Sequence, residues 1–373
     1  MSEPLYQSIK VTQPSLPDLD HMNQMIKEIW DSKQLSNNGD KVKQLEHELA
    51  HYLNSDYVSV FSNGTIALQI ACRLLKLTGD VITTPFTFPA TINALAWNHA
   101  TPVFCDIEEN TFNINADQIE SLITEKTTAI MPVHVFGNPC DVDKIQRIAD
   151  RYGLKVLYDA AHAFGVNYRG KSIASYGDVT MFSFHATKVY HTIEGGALVF
   201  NHPHLKERAD ELRNFGIQSN GDIIEPGING KLNEVQAAVG LLLLKKIDEE
   251  IKKREEVTST YANMLNDVPG IRLIQPANEV TYNYPYLIIT IDQAEYGISR
   301  DELYIKLVKN HILARKYFYP LCSNFQCYRN LPSSDPSKLP VANKAADSVL
   351  ALPLYGELSK DEIIFICNII RNL

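Results

Sequence analysis

Several classes of protein are excluded by what the sequence lacks. Its six cysteines are scattered and form no CxxC pair, which argues against a zinc ribbon, an iron–sulfur cluster or a disulfide framework. No uninterrupted apolar run reaches the length of a transmembrane helix. The net charge of −9 gives no general attraction for nucleic acid or for an anionic membrane surface. We therefore expect no metal centre and neither a nucleic-acid nor a membrane partner.

The opening residues, MSEPLYQSIK, lack the basic start and the apolar core of a secretory signal. The scattered cysteines are most simply reduced thiols, as in cytosolic proteins. With 45% hydrophobic and 21% charged residues, the chain has the composition of a globular protein that buries a substantial core. Together these features predict a cytoplasmic globular protein.

Short apolar runs alternate with longer amphipathic ones between Tyr57 and Phe200. The predicted strands are YVSVF, DVITTP, TPVFCDI, TTAIMPVHVF, KVLYDA, DVTMFSFH and GGALVF. Helical stretches such as GTIALQIACRLLKL and DVDKIQRIADRYG separate several of them. This alternation predicts an α/β fold with a mostly parallel seven-stranded sheet, and ligands at the carboxyl ends of its strands.

The segment after Asn229, KLNEVQAAVGLLLLKKIDEEIKKREEVTSTYANMLN, predicts one or two helices that join two domains. Beyond it, the strands YPYLIITI and ILARKYFYP, with helices near 299–309 and 359–371, predict a smaller C-terminal α+β domain. We place the boundary near residue 250, so that the large domain spans 1–250 and the small one spans 251–373.

Lys188 stands between two predicted strands in FHATKVYHTIEGGALVF, residues 184–200. A buried lysine must be paired, reach water or be covalently occupied, because a lone buried ammonium is too costly. When the stretch is read alone, a surface lysine in a loop remains the alternative. Lys188 could otherwise serve as a Schiff-base amine, and Ser183 could donate its hydroxyl to a phosphate.

Three further segments place polar or aromatic side chains at strand ends or helix starts. In SNGTIAL, Gly64 permits a tight turn and the helix start suits a phosphate, with a plain N-capped turn as the alternative. PFTFPAT offers Phe86 and Phe88, which could stack on a planar ring or belong to the core. In LYDAAHAFG, Asp159 is either an N-cap or a buried charge with a partner, and His162 could face the same site.

These segments together match what pyridoxal 5′-phosphate (PLP) requires. A lysine carries its aldehyde as an imine, and a carboxylate keeps the pyridine nitrogen protonated. The ring then accepts the electrons of a Cα–H bond as that bond breaks. Because all of these segments occur together and in this order, the sequence predicts a PLP enzyme. A lysine-dependent aldolase without PLP is an alternative, which the phosphate site and Asp159 disfavour.

The chain resembles the sugar-nucleotide aminotransferases of the DegT–StrS group, within the fold type I PLP-dependent transferases. The resemblance runs through nearly the whole chain in the blocks SNGTIAL, PFTFPATINAL, VHVFGNPCDVDKI, YDAAHAFG, FSFHATK, EGGALV and GINGKLNEVQAAVGL. One segment departs from the group, which often has K-N-x-x-x-G-E-G-G where this chain has KVYHTIEGG. The loop that faces the substrate therefore differs, while the lysine and EGG are kept.

The resemblance implies a role for each candidate residue. Lys188 would bind PLP and move the proton, and Asp159 would pair with the pyridinium nitrogen. His162 would bond near the ring hydroxyl, and Phe88 would stack on the ring. The phosphate would be held by Gly64, Thr65, Ser183 and, from a neighbouring subunit, Asn229. The working unit would then be a homodimer with shared active sites, with a simple turn residue in PGINGK as the alternative for Asn229.

The implied substrates are a nucleotide-linked keto sugar and L-glutamate, which leaves as 2-oxoglutarate. VTQPSLPDLD and the loop around Lys188 are most similar to enzymes that aminate dTDP-4-keto-6-deoxyglucose, whose product feeds O-antigen in lipopolysaccharide and related surface glycans. Candidate substrate contacts, each of which could instead be a solvated surface residue, are His185, Lys231, Lys316, Arg315 and Tyr317. A 3-keto acceptor is the nearest alternative. A PLP-dependent sugar dehydratase and a non-catalytic PLP sensor are further alternatives, which Lys188 and the EGG segment disfavour.

Overall fold

The computed structural model describes residues 8–276 and 278–372. Its strands, numbered in chain order, are β1 (Ile9–Lys10), β2 (Tyr57–Phe61), β3 (Asp80–Thr83), β4 (Thr101–Phe104), β5 (Thr127–Met131), β6 (Lys155–Asp159), β7 (Asn167–Tyr168), β8 (Lys171–Ser172), β9 (Val179–Ser183), β10 (Gly196–Phe200), β11 (Ile271–Leu273), β12 (Val280–Thr281), β13 (Leu287–Ile291), β14 (Ile312–Leu313) and β15 (Val349–Leu352). Residues 1–7, on which much of the prediction about a secretory signal rests, lie outside the described part.

The helices are α1 (Leu19–Ser32), α2 (Asp40–Tyr52), α3 (Gly64–Leu74), α4 (Pro89–Trp97), α5 (Ala116–Ile119), α6 (Val142–Tyr152), α7 (Pro203–Leu212), α8 (Glu234–Leu244), α9 (Ile247–Leu265), α10 (Gln293–Tyr296), α11 (Arg300–Lys309), α12 (Pro340–Ser348) and α13 (Lys360–Arg371). Among the helices of the described part, none combines the length and the apolar character that a membrane span requires.

The central sheet contains seven strands in the order β2-β10-β9-β6-β5-β3-β4. Strands β4, β3, β5, β6 and β9 run parallel, whereas β10 is antiparallel to both of its neighbours. Each of the seven lies within a strand predicted from the sequence, although β5 ends at Met131, five residues before the predicted end of TTAIMPVHVF. The predicted α/β fold with a mostly parallel seven-stranded sheet is therefore confirmed.

Both faces of the central sheet are covered by helices. Ile130 and Val156 face a core that they share with α2, α6 and α8, whereas Ala129 and Leu157 face a core shared with α3, α4 and α7. Successive strand residues point to opposite faces, so an apolar run such as TTAIM can serve both cores at once. This arrangement leaves the strand ends as the place where polar side chains gather.

The C-terminal part begins with α9, which leads into the small antiparallel sheet β11-β13-β15. Helices α9, α11 and α13 share a core with that sheet. The boundary predicted near residue 250 falls inside α9, and the division into two domains stays a prediction. The strand predicted at ILARKYFYP is wrong beyond Leu313, because β14 ends there and only an isolated bridge joins Arg315 to Ala351.

Candidate active site

A cavity of about 280 Å³ lies where β6 and β9 end and where α3 begins. Most of the residues singled out in the sequence line it, namely Gly64, Thr65, Phe88, Asp159, His162, Ser183, His185, Lys188, Arg315 and Tyr317. They come from segments that are up to 253 residues apart in the chain, from Gly64 to Tyr317, and the strand ends of the central sheet bring them together.

The N-terminus of α3 faces this cavity. Asn63 caps the helix, because its side chain accepts the N–H of Ile66 at 2.8 Å, and Gly64 and Thr65 follow in the first turn. The first N–H groups of a helix have no intrahelical partner and attract anions. A Cβ at Gly64 would lie only 3.1 Å from the Cβ of Ser183, so the glycine keeps the space beside the Ser183 hydroxyl open. This corner suits a phosphate group.

Asp159 is the last residue of β6 and is only 4% exposed. Its carboxylate accepts the hydroxyl of Thr91 at 2.7 Å and the N–H of Ala161 at 3.0 Å. Burial raises the pKa of Asp159, although these two hydrogen bonds and the charge of Lys188 oppose the rise. A cationic N–H group in the cavity would stabilise the ionised carboxylate, which is what a pyridinium nitrogen provides.

His162 lines the same cavity as Asp159 and is held as a neutral ring. Its Nδ1 accepts the N–H of Phe136 at 3.2 Å, and burial lowers its pKa well below the usual value. The proton of the neutral ring is therefore on Nε2, which leaves that nitrogen as a donor. The ring also stacks on Phe318, with 6.0 Å between the ring centres.

The two candidate phenylalanines have separate places. Phe86 is fully buried and packs in the core against Phe112, Phe136 and Phe318. Phe88 stands at the start of α4, is 59% exposed and lines the cavity. An exposed aromatic face at the wall of a cavity is available to a planar ligand, so Phe88 is the one that can stack on a ring.

Lys188 reaches into the cavity from the loop that follows β9. Its Nζ donates to the hydroxyl of Tyr286 at 3.3 Å. Burial lowers the pKa of Lys188 to about 8, although negative charge on Tyr317 and Asp159 would raise it. A lysine with this pKa has an appreciable neutral fraction near physiological pH, and only the neutral amine can act as a nucleophile or accept a proton.

Tyr286 and Glu194 also line the cavity, although neither is among the site residues predicted from the sequence. Tyr286 lies in the apolar run YPYLIITI, which predicts a buried strand and gives no sign of a polar contact. Glu194 lies in the EGG block, and its Oε1 is 3.6 Å from Nε2 of His185. The EGG block could have pointed to Glu194 as a site residue. Only the folded chain reveals the contact of Tyr286 with Lys188.

The outer rim of the cavity carries a cation and a phenol. Nη1 of Arg315 donates to the hydroxyl of Tyr317 at 3.1 Å. The adjacent Lys316 turns away from the cavity and bonds Asp301 at 2.7 Å. Of these two neighbouring cations, Arg315 is therefore the one placed to meet an anionic substrate.

Asn229 and Lys231 lie outside this cavity. Asn229 is exposed and forms an isolated bridge with Asn214, whose side chain accepts the Nζ of Lys231 at 2.8 Å. Lys231 lines a second cavity, of about 370 Å³, together with Asn37 and Asn38. Within one chain these residues do not line the cavity of Lys188, so any role for them in catalysis requires a second copy.

Comparisons with known proteins point to one family. The model of the DegT/DnrJ/EryC1/StrS aminotransferase family matches residues 18–371. The chain is 45% identical over 366 residues to the dTDP-4-amino-4,6-dideoxy-D-glucose transaminase of Escherichia coli, which covers 97% of this chain and 98% of the relative. A protein of the same name from Shigella dysenteriae is 43% identical and matches 100% of both chains.

A solved structure, described as DesI in the presence of its TDP-sugar product, superimposes with a TM-score of 0.94 at 34% sequence identity. The superposition covers 99% of this chain and 94% of that one. The whole fold, and not the central sheet alone, is therefore shared.

Proposed function

The chain belongs to the DegT/DnrJ/EryC1/StrS aminotransferase family, and from this premise we propose that it transfers the amino group of L-glutamate to a nucleotide-linked 4-keto-6-deoxy sugar. Its cofactor is PLP. The proposed acceptor is dTDP-4-keto-6-deoxyglucose, and the product is dTDP-4-amino-4,6-dideoxyglucose for O-antigen or another surface glycan. The names of two relatives and the TDP-sugar product of DesI support this choice.

The residues of the cavity fit PLP at its phosphate end. The N–H groups at the start of α3, from Gly64 and Thr65, and the hydroxyl of Ser183 would bind the phosphate. The space that a Cβ at Gly64 would fill is what supports this assignment. The phosphate would then be anchored mainly by backbone atoms of a fixed helix.

The opposite end of the cavity fits the PLP ring. Asp159 would pair with the pyridinium N–H, because its buried carboxylate needs a positive partner beyond the two donors it has. The Nε2–H of His162 would donate to the ring hydroxyl, and Phe88 would stack on the exposed face of the ring.

When bound, PLP supplies an aldehyde that takes up an amino group and a ring that accepts electrons from a breaking C–H bond. Lys188 would hold the cofactor between reactions and, once released, would take up a proton on Nζ and give it up again. Tyr286, whose hydroxyl accepts a hydrogen bond from Nζ, would keep the freed amine in the cavity. The neutral fraction that a pKa of about 8 provides makes this proton transfer feasible near pH 7 to 8.

The rim residues would bind the substrates. Arg315 and Tyr317 offer a cation and a hydroxyl, which suit the carboxylates of glutamate or the diphosphate of the sugar nucleotide. His185, half-exposed beside Glu194, would contact the sugar hydroxyls.

We also propose that the working unit is a homodimer in which Asn229 and Lys231 complete the site of the partner. Both residues follow an exposed segment, 215–228, in which Phe215, Ile223 and Ile224 are 48%, 61% and 73% exposed. An apolar surface of this kind favours association with another chain. Asn229 would then reach the phosphate of the neighbouring subunit.

The observation that carries the proposal is that Lys188 and Asp159 share one cavity with the N-terminus of α3. Absorbance of the PLP-loaded protein, before and after the addition of glutamate, tests it. The visible band of the lysine-bound cofactor should disappear as the band of the aminated cofactor rises, and Lys188→Ala should lack both responses. Lys126→Ala, at an exposed lysine, is the matched control. A visible band that glutamate leaves unchanged would contradict the transamination.

The acceptor is tested with the aminated enzyme and a pair of dTDP-linked sugars, one 4-keto and one 3-keto. Recovery of the visible band with the 4-keto sugar, together with an amino sugar detected by mass spectrometry, is the expected result. Faster recovery with the 3-keto sugar would overturn the assignment of the carbon, and loss of a hydroxyl without a new amine would point to a dehydratase.

A further inference from the structure

The loop that carries Lys188, residues 184–195 (the lysine loop), is tied down at His191. This histidine is 2% exposed, and both of its ring nitrogens bond to the backbone. Nδ1 accepts the N–H of Ile193 at 3.2 Å, so the proton of the neutral ring is on Nε2, which donates to the C=O of Ser15 at 2.8 Å. His191 is therefore fixed in one tautomer and one orientation, within the segment where this chain departs from the usual family sequence.

Ser15 belongs to residues 8–18 (the N-terminal strap), which is anchored elsewhere at both ends. At its start, β1 pairs with β14, and the C=O of Val11 accepts the N–H of Leu354 at 3.0 Å. At its end, Asp18 caps α1. The strap therefore links the C-terminal part of the molecule to α1 and contacts the lysine loop at His191 on its way.

The far side of the lysine loop is equally constrained. Thr192 is fully buried and donates to the C=O of Glu194 at 2.8 Å. A Cβ at Gly240 of α8 would lie 2.8 Å from Cγ2 of Thr192, so the helix closes tightly on the loop. Between these anchors, Ile193 has a φ of +69°, which a β-branched residue rarely adopts. Such a conformation persists only where its surroundings impose it.

We propose that His191 is a positioning residue that fastens the lysine loop to the N-terminal strap and so keeps Lys188 aimed into the cavity. The inference rests on the proposed role of Lys188 and adds a support that lies outside the cavity. Because the bond to Ser15 and the bond to Ile193 use different nitrogens, one side chain restrains two segments at once. The titratable groups whose charges act on the pKa of His191 are His185 and the buried ion pair of Arg254 and Glu250 on α9.

Two substitutions separate the two hydrogen bonds. In His191→Asn, the side-chain oxygen can still accept the N–H of Ile193, in the geometry of an Asx-turn. The asparagine side chain is too short to reach Ser15. His191→Gln is long enough to donate to the C=O of Ser15 but gives up the bond to Ile193. His204→Asn, at an exposed histidine, is the control.

The test uses the full-length protein without PLP and has two readouts. The first is hydrogen–deuterium exchange of residues 8–18, and the second is the pKa of Lys188, taken from the pH dependence of its acetylation followed by mass spectrometry. In His191→Asn, exchange in the strap should be about fivefold faster, as the loss of one hydrogen bond implies. The pKa of Lys188 should rise from about 8 toward that of a solvated lysine. His191→Gln should retain the exchange rate of the wild-type strap.

Wild-type exchange in the strap of His191→Asn would overturn the proposed contact. Faster exchange together with an unchanged pKa of Lys188 would overturn the proposed effect of His191 on the lysine. Should His191→Asn fail to fold, Val11→Ala loosens the strap from its other side and should raise the pKa of Lys188 in the same direction. Neither readout needs bound PLP, so a wild-type protein that fails to bind PLP would contradict the proposed function and leave this test intact.

Discussion

The inner wall and the outer rim of the main cavity are built differently. The wall residues Gly64, Asp159 and Ser183 stand at the ends of α3, β6 and β9, where the regular elements fix their positions. The rim residues His185 and Arg315 lie in irregular segments and are exposed. A rigid wall can hold one cofactor in one pose, whereas rim loops can change with the substrate. We therefore expect the wall to carry the chemistry that the family shares and the rim to select the sugar.

The largest effect is expected in the wall, from Asp159→Asn. The neutral amide cannot balance a pyridinium charge, and removing one partner of a buried pair corresponds to a loss of about 10³-fold in kcat. Steady-state measurement of the overall reaction gives this value, and Asp150→Asn, at an exposed carboxylate, serves as the control. A kcat within a few-fold of the wild type would remove Asp159 from the reaction.

The next effect tests whether the wall is completed by a second chain. The double substitution of Asn229→Ala with Lys231→Ala should lower activity by about 100-fold, because two hydrogen bonds to charged groups are lost. When chains with this double substitution are co-expressed with Lys188→Ala chains, each mixed dimer would contain one intact site. That site takes Lys188 from the first chain and Asn229 and Lys231 from the second. Random pairing then restores about a quarter of the wild-type activity.

The matched control is a mixture of Lys188→Ala and Asp159→Asn chains. Both of these residues belong to the same chain's wall, so mixed dimers have no intact site and activity should stay low. Equal activity in the two mixtures would contradict shared sites, as would a monomeric wild-type protein in light scattering.

A smaller effect, confined to binding, is expected at the rim. Arg315→Met should raise KM by about 10-fold to 100-fold with little change in kcat, because it removes a charge-assisted contact with an anion. Comparing KM for glutamate and for the sugar nucleotide identifies which anion is bound. Lys316→Met is the adjacent control, since Lys316 bonds Asp301 and turns away from the cavity. A fall in kcat alone would place Arg315 with the wall.

The smallest effect is expected where wall and rim meet, from Tyr286→Phe. The Tyr286 hydroxyl accepts a hydrogen bond from Lys188 and stabilises its ammonium form, so removing the hydroxyl should lower the pKa of Lys188 further below about 8. The limb of the pH–rate profile that requires neutral Lys188 should therefore move to lower pH, by roughly half a unit to one unit. Tyr319→Phe, at an exposed tyrosine, is the control. A shift to higher pH would contradict this role.

The same contrast explains how much the sequence could predict. Asp159, Ser183 and Gly64 each follow or precede a strongly patterned element, so their places at strand ends could be read from local periodicity. Tyr286 could not be found in this way, because its contact with Lys188 spans 98 residues and its own run reads as an ordinary buried strand. The strand predicted at ILARKYFYP was too long for a related reason. Its two paired residues depend on β1, which lies some 300 residues earlier in the chain.

Helix α9 bears on how the protein could be divided into fragments. It runs without a break from Ile247 to Leu265, and the buried guanidinium of Arg254 bonds Glu250 one turn earlier, at 2.6 Å. A fragment that stops at residue 250 would end the helix within its first turn and separate these two charges onto different polypeptides. During synthesis and refolding, Arg254 would then lack Glu250, its counter-ion four residues earlier in the same chain. Split-protein reassembly and circular permutation should therefore target the turn at 266–270, after the whole helix has been made.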